Sequence, residues 1–314
     1  MIQFFKTGAT LVLLTGRGFA HPAESAAQIT PSNWARAWSW EIGIIFPLLF
    51  IALLYAVGSW RLRERNHQRP AIDRWQMASF WIGWLSLVLA LNSPLHKMGE
   101  VLFSAHMTQH EILMVIAAPL IVFSKPLIAS LFALPESWRV GLGAAAKTPV
   151  FSSAWNWISG PLTVWLLHGL TIWVWHIPSL YQATLDNESI HALQHICFFG
   201  TALLFWWTLI HGRYGRLGYG VAFLYVFTTA LHTSILGALM TFTQRVWYPL
   251  YDGRTMPWHL SPLEDQQLGG LIMWITSGVI FLVVGLAMFA AWLGESDRRQ
   301  KFSRLAEIEG QHAD

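Results

Sequence analysis

The chain has 314 residues, 54% of them hydrophobic and only 12% charged, with 19 tryptophans and a formal net charge of +3. Soluble domains usually carry about 25% charged residues, so this composition excludes a water-soluble globule and fits a surface that faces lipid. The small charge, confined to a few loops, gives no footprint for nucleic acid, and the single cysteine, Cys197, excludes a disulfide framework and any CxxC metal or redox motif.

The first 20 residues read as a secretory signal peptide. Lys6 supplies the basic start, Thr10 to Gly16 an apolar stretch too short to span, and Gly18-Phe19-Ala20 a small-residue end. An uncleaved anchor is the alternative. Residues 21–41 form a short segment expected on the exported side.

Seven apolar segments follow, near 42–60, 75–91, 101–123, 158–176, 191–210, 219–242 and 268–293, each close to the roughly 20 residues that a bilayer core requires. They predict an all-α, polytopic membrane bundle of about seven helices over residues 42–293. The basic residues alternate loop by loop. One set of loops holds Arg61, Arg63, Arg65, Arg69 and Arg74, then Lys125, Arg139 and Lys147, then Arg213 and Arg216, and finally Arg298, Arg299, Lys301 and Arg304. The opposite set holds only Arg36, Lys97, Arg245 and Arg254. The positive-inside rule then places the N-terminus outside and the C-terminus, with its tail 294–314, in the cytoplasm. An exported N-terminus agrees with the signal peptide, and the location expected is a bacterial inner membrane.

Between the third and fourth segments, Ile128 to Phe132 among Pro126, Pro135 and Pro149 reads as one short interfacial helix. The outer loop 243–267, rich in aromatics and proline, is expected to fold over the outer mouth. The tail from Glu295 reads as solvated helix or disorder.

Thirteen histidines are many for so apolar a chain. His106 and His110 lie near the outer end of the third segment, and His191 and His195 near the outer end of the fifth. Both are HxxxH pairs, and residues four apart share one face of a helix. Two imidazoles so placed can grip one metal ion, and two facing helices can supply four nitrogens. His176, at the outer end of the fourth segment, and His232, in the sixth, are further ligand candidates. So are Met107 and Met114, within about 100° of the histidines on the helical wheel, and Asp265 at the start of the seventh segment, with Met273 on its face. Imidazole suits zinc, copper, iron and nickel, and thioethers favour Cu(I), so copper is the metal expected. Glu111 either orients an imidazole or faces a polar cavity. His168, alone near mid-depth, reads as an interhelical hydrogen bond.

Several stretches carry a family likeness. They are Ser104 to His110 running into Ala117-Ala118-Pro119-Leu120, then His176-Ile177-Pro178-Ser179-Leu180-Tyr181, then His191 to His195 with Phe198-Phe199 and Phe205-Trp206-Trp207. Asp265-Gln266-Gln267-Leu268-Gly269-Gly270 running to Trp274 completes the set. In this order, over residues 35 to 293, the chain resembles the CtaG-type (caa3) cytochrome c oxidase assembly factors. The resemblance implies a non-enzymatic role in building a haem–copper oxidase, plausible through copper delivery. Its partners would be oxidase subunits, membrane lipid and a periplasmic copper donor. Two readings of other classes compete: an intramembrane haem-binding electron carrier, and a metal or proton transporter. Each HxxxH pair sits on one helix, which suits one ion better than two stacked haems. No symmetric pair of broken helices marks a transport path.

Overall fold

The computed structural model describes residues 29–65, 71–211 and 214–311. The expected signal peptide lies outside the described residues. Among those described there is no strand, and the chain is almost entirely helical. The helices are α1 (Ile42–Arg65), α2 (Arg74–Asn92), α3 (Pro94–Met98), α4 (Phe103–Phe123), α5 (Pro126–Ala133) and α6 (Glu136–Ala146). There follow α7 (Pro149–Ile158), α8 (Pro161–Trp175), α9 (Pro178–Asp186), α10 (Glu188–His211), α11 (Tyr214–Phe242) and α12 (Pro262–Gln311).

Five of these helices, α1, α4, α10, α11 and α12, are long and apolar enough to cross a membrane. The pair α7 and α8, bent by 56° at Ser159-Gly160, makes a sixth if it is counted as one span. Helix α2 occupies the second expected segment but is not among these five. The expected single interfacial helix is instead three helices, α5, α6 and α7. A proline begins α5 and α7 and immediately precedes α6, because its fixed φ and missing N–H suit a helix start. Of the two readings of the tail, the structure takes the helical one: α12 runs on through residue 311 as one helix.

Local signals set several of the helix ends. Asp73 and Gln76 cap α2 reciprocally, and Ser93 with Pro94 opens α3. At α12, Ser261 and Glu264 bond each other's backbone N–H groups ahead of the apolar run, with Pro262 at the first position.

Helix α4 is the centre of the bundle. Two thirds of its span window (67%) is buried, against 22–39% for the other four spans. It is not a uniform α-helix, because Ile112–Ala117 forms a π-helical turn. The cause lies one turn on: Pro119 has no N–H, so a carbonyl behind it loses its helical donor. The indole Nε1–H of Trp206 on α10 donates to the Met114 carbonyl at 2.8 Å and replaces it. A wide turn of this kind often lies beside a functional site.

Helices α11 and α12 cross closely at two glycines. A Cβ on Gly270 would lie 2.9 Å from the Gly237 carbonyl oxygen and 2.9 Å from the Thr241 nitrogen. Small residues let membrane helices pack backbone to backbone. Gly270→Leu is therefore expected to lower stability by about 1–3 kcal/mol, the usual cost of overpacking. Gly278→Leu on the same helix, where a Cβ meets nothing within 4 Å, should leave denaturant unfolding in detergent unchanged.

Candidate metal centre

Helices α4 and α10 each begin three residues before the first histidine of their pair. Side by side, they bring the pairs into register. The ring centroids of His106 and His191 are 5.1 Å apart, and those of His110 and His195 are 5.2 Å apart. Along each helix the rings are separated by 4.3 Å (His106 and His110) and 4.4 Å (His191 and His195). One ligand nitrogen from each of His106, His191 and His195 lies within 4.8 Å of the other two. With metal–nitrogen bonds near 2 Å, that spacing admits one shared ion.

The hydrogen bonding leaves nitrogens free for it. His106 Nε2–H donates to Gln194 Oε1 at 3.2 Å, so its Nδ1 keeps a lone pair, and that buried atom has no protein partner. Nε2 of His191, Nε2 of His195 and both nitrogens of His110 are also buried without a partner. An unsatisfied buried polar atom costs about 1–3 kcal/mol. Several converging on one space fit a cation well, and the donor set is pure imidazole.

A tyrosine-rich roof covers these rings. The loop 243–267 packs over this end of the bundle: Tyr248 stacks on Phe103 at 4.8 Å and donates to the His176 carbonyl at 3.0 Å. Tyr251 donates to the Gly99 carbonyl at 2.9 Å and lies 2.9 Å, oxygen to oxygen, from Tyr181. The Tyr181 ring in turn lies 5.2 Å from His106. Burial raises all three tyrosines well above the usual phenol range. They are neutral hydrogen-bonding residues here.

The other expected ligands separate into three places. His176, Met107, Met114 and Met273 line a cavity below the imidazoles, together with His110 and Glu111. Of the two roles open to Glu111, its carboxylate takes the cavity-facing one and accepts from Ser277 Oγ at 2.6 Å. His232 stands apart from the cluster, edge-on to Trp165 at 5.9 Å and against Gly169. Its helix position puts it deeper than the paired rings. Asp265, also among the expected ligands, has its carboxylate engaged at the start of α4. Its Oδ2 accepts from the Phe103 N–H at 2.6 Å, and its Oδ1 from the N–H and hydroxyl of Ser104. With Leu102 offering no capping side chain, Asp265 supplies the missing cap of α4 from another helix. His168 makes the interhelical bond expected of it, with Nδ1 3.0 Å from Thr201 Oγ1.

Sequence reasoning missed His96. It lies on the five-residue α3, outside any spaced pattern, and only folding carries its ring to within 5.5 Å of His191, stacked at 4°. Gln109 Nε2 donates to His96 Nδ1 at 3.0 Å, and His96 Nε2 points at Glu41 Oε1 3.8 Å away. Burial, with His191 and Lys97 nearby, pushes the His96 imidazole down to about 3, so the ring is neutral. Its Nδ1 lone pair is taken by Gln109 and its ring stacks on His191, which fits a support for His191. A signal for this shell was present. Each pair reads HxxQH, and the two glutamines, Gln109 and Gln194, are the residues that bond His96 and His106.

Comparison with known proteins bears on this arrangement. The model of the cytochrome c oxidase caa3 assembly factor family matches residues 53–295. Uncharacterized proteins of Mycobacterium bovis and Mycobacterium tuberculosis are each 27% identical over 270 residues, covering 84% of this chain and 40% of the relative. One from Mycobacterium leprae is 25% identical over 300 residues, covering 90% of this chain and 43% of the relative. The chain thus spans about two fifths of the length of these curated relatives. No solved structure matches it.

Proposed function

Since the chain belongs to the cytochrome c oxidase caa3 assembly factor family, we propose that it serves oxidase assembly by holding a copper ion on His106, His191 and His195 and passing it to the oxidase. The observation that carries this reading is that His106, His191 and His195, drawn from two helices, bring one nitrogen each to within 4.8 Å of one another, and that each ring has a buried nitrogen without a protein partner. Three neutral imidazoles hold copper firmly enough to load it and leave a coordination position open to an incoming ligand. Release then proceeds by ligand exchange with an oxidase subunit. The role is that of a carrier and not of an enzyme.

We place the cluster at the exported face, with seven crossings, the N-terminus outside and the C-terminus in the cytoplasm. The alternation of basic loops supports this orientation. In it, a periplasmic donor reaches the cluster from the roof side, and lipid surrounds the rest. A haem carrier has less support. The ring centroids lie 4.3–4.4 Å apart along each helix and 5.1–6.1 Å apart across the two, a crowded set of several imidazoles that suits one small ion better than a macrocycle between two rings.

The test is metal content. The full chain purified from copper-supplied cells should retain copper, and His106→Ala and His195→Ala should each lose the nitrogen-bound ion while the helical circular dichroism is unchanged. Copper retention equal to the wild type's in both variants would remove the reading.

A further inference from the structure

Directly below the paired rings, the bundle encloses a second space of different chemistry. Three helices contribute to it with residues four apart: His168 and Ile172 on α8 with His176 at its C-terminal cap, Met107 and Glu111 on α4, and Met273 and Ser277 on α12. Met114 joins from beyond the start of the π turn. The space open to the centre of a water molecule is about 20 Å³. That admits one water or one bare ion and no hydration shell.

We propose that this cavity is a second metal site, built for a soft monovalent cation, Cu(I), and holding it with the thioethers of Met107, Met114 and Met273 and the imidazoles of His110 and His176. Thioether sulfur selects Cu(I) among first-row ions, whereas cations that hold their water tightly find no room to keep it. The two imidazoles present themselves as ligands. His176 Nδ1–H donates to the Ile172 carbonyl at 2.6 Å, which leaves the lone pair on Nε2, and that buried atom has no protein partner. Such a bond fixes both the tautomer and the ring orientation of a ligand histidine. Both nitrogens of His110 are equally unpartnered.

Charge points the same way. Glu111 is the one acidic residue lining the cavity, and a single carboxylate beside a monovalent ion forms a neutral pair, as low-dielectric surroundings require. A divalent ion there would leave a net charge. His110 belongs to both spaces. Its ring lies 4.3 Å from His106 and 5.2 Å from His195, and it also lines the cavity. Two sites in series, one of nitrogen donors and one rich in sulfur, therefore meet at this residue.

The ion's identity rests on the copper reading above, but the ligands are a separate set, so the two can fail separately. Anaerobic titration of the purified full chain with Cu(I) should give two equivalents bound, and copper X-ray absorption should show sulfur beside nitrogen. The variant carrying Met107→Leu and Met273→Leu should bind one equivalent with the sulfur signal gone. Met114→Leu, a single volume-conserving change, should weaken the same signal and stands in if the double variant does not fold. The variant carrying His191→Ala and His195→Ala should also bind one equivalent but keep sulfur. One nitrogen-only equivalent in the wild type, or a sulfur signal indifferent to the methionine changes, overturns this inference and leaves the three-histidine reading standing. Two equivalents that survive the histidine changes overturn that reading alone.

Discussion

Asp265→Ala should destabilise the folded bundle by several kcal/mol, at about 1–3 kcal/mol for each donor left without an acceptor. Two backbone N–H groups and one hydroxyl at the start of α4 converge on this carboxylate. Water cannot take over, because Asp265, Phe103 and Ser104 are all buried. The effect should reach the metal centre, since His106 lies only three residues beyond Phe103 and depends on where the first turn is anchored. Asp265→Asn keeps one oxygen acceptor and should recover part of both losses. Unfolding followed by tryptophan fluorescence in detergent, with copper retention measured on the same samples, checks this. An alanine variant as stable as the wild type would show that the cap is dispensable.

The second large effect separates ligand from support. His191→Ala removes one of the three proposed donors and should weaken copper affinity by more than about 100-fold. His96→Ala removes only the ring stacked on His191, and outer partners of this kind are typically worth about 10–100-fold. Competition with a chromogenic Cu(I) chelator measures both. His96→Gln, which keeps an acceptor for Gln109, should lie between His96→Ala and the wild type. Equal losses from His96→Ala and His191→Ala would instead place the imidazole of His96 among the ligands.

Much of this arrangement was legible before folding. The positions of the apolar segments and of the two HxxxH pairs follow from spacing and composition, and each falls on a described helix, five of them long and apolar enough to cross a membrane. Periodicity also put His106 and His110 on one face, because four residues make about one turn. What it could not give was depth and partnership. Asp265 and Met273 share a helix face, yet one caps α4 while the other lines a cavity two turns below, and only the packing of α12 against α4 distinguishes them. His96 was silent because a lone histidine on a short connecting helix carries no period. The three helices between α4 and α8 were compressed into one because the apolar content of α6 is diluted by glycine and alanine.

The wide turn at Ile112–Ala117 works as a clutch. In a regular helix each side chain is geared to the next by a fixed angular step of about 100°, so shifting one residue swings everything downstream. Here the gearing is interrupted just after Glu111. The half above carries imidazole, thioether and carboxylate, and the half below carries the small and branched residues Ala117, Ala118, Ile121 and Val122 that pack against α2 and α10. The two halves can therefore be tuned separately. Deleting a single residue from the turn would re-engage them, rotating the lower half out of its seat and pulling the Met114 carbonyl away from Trp206.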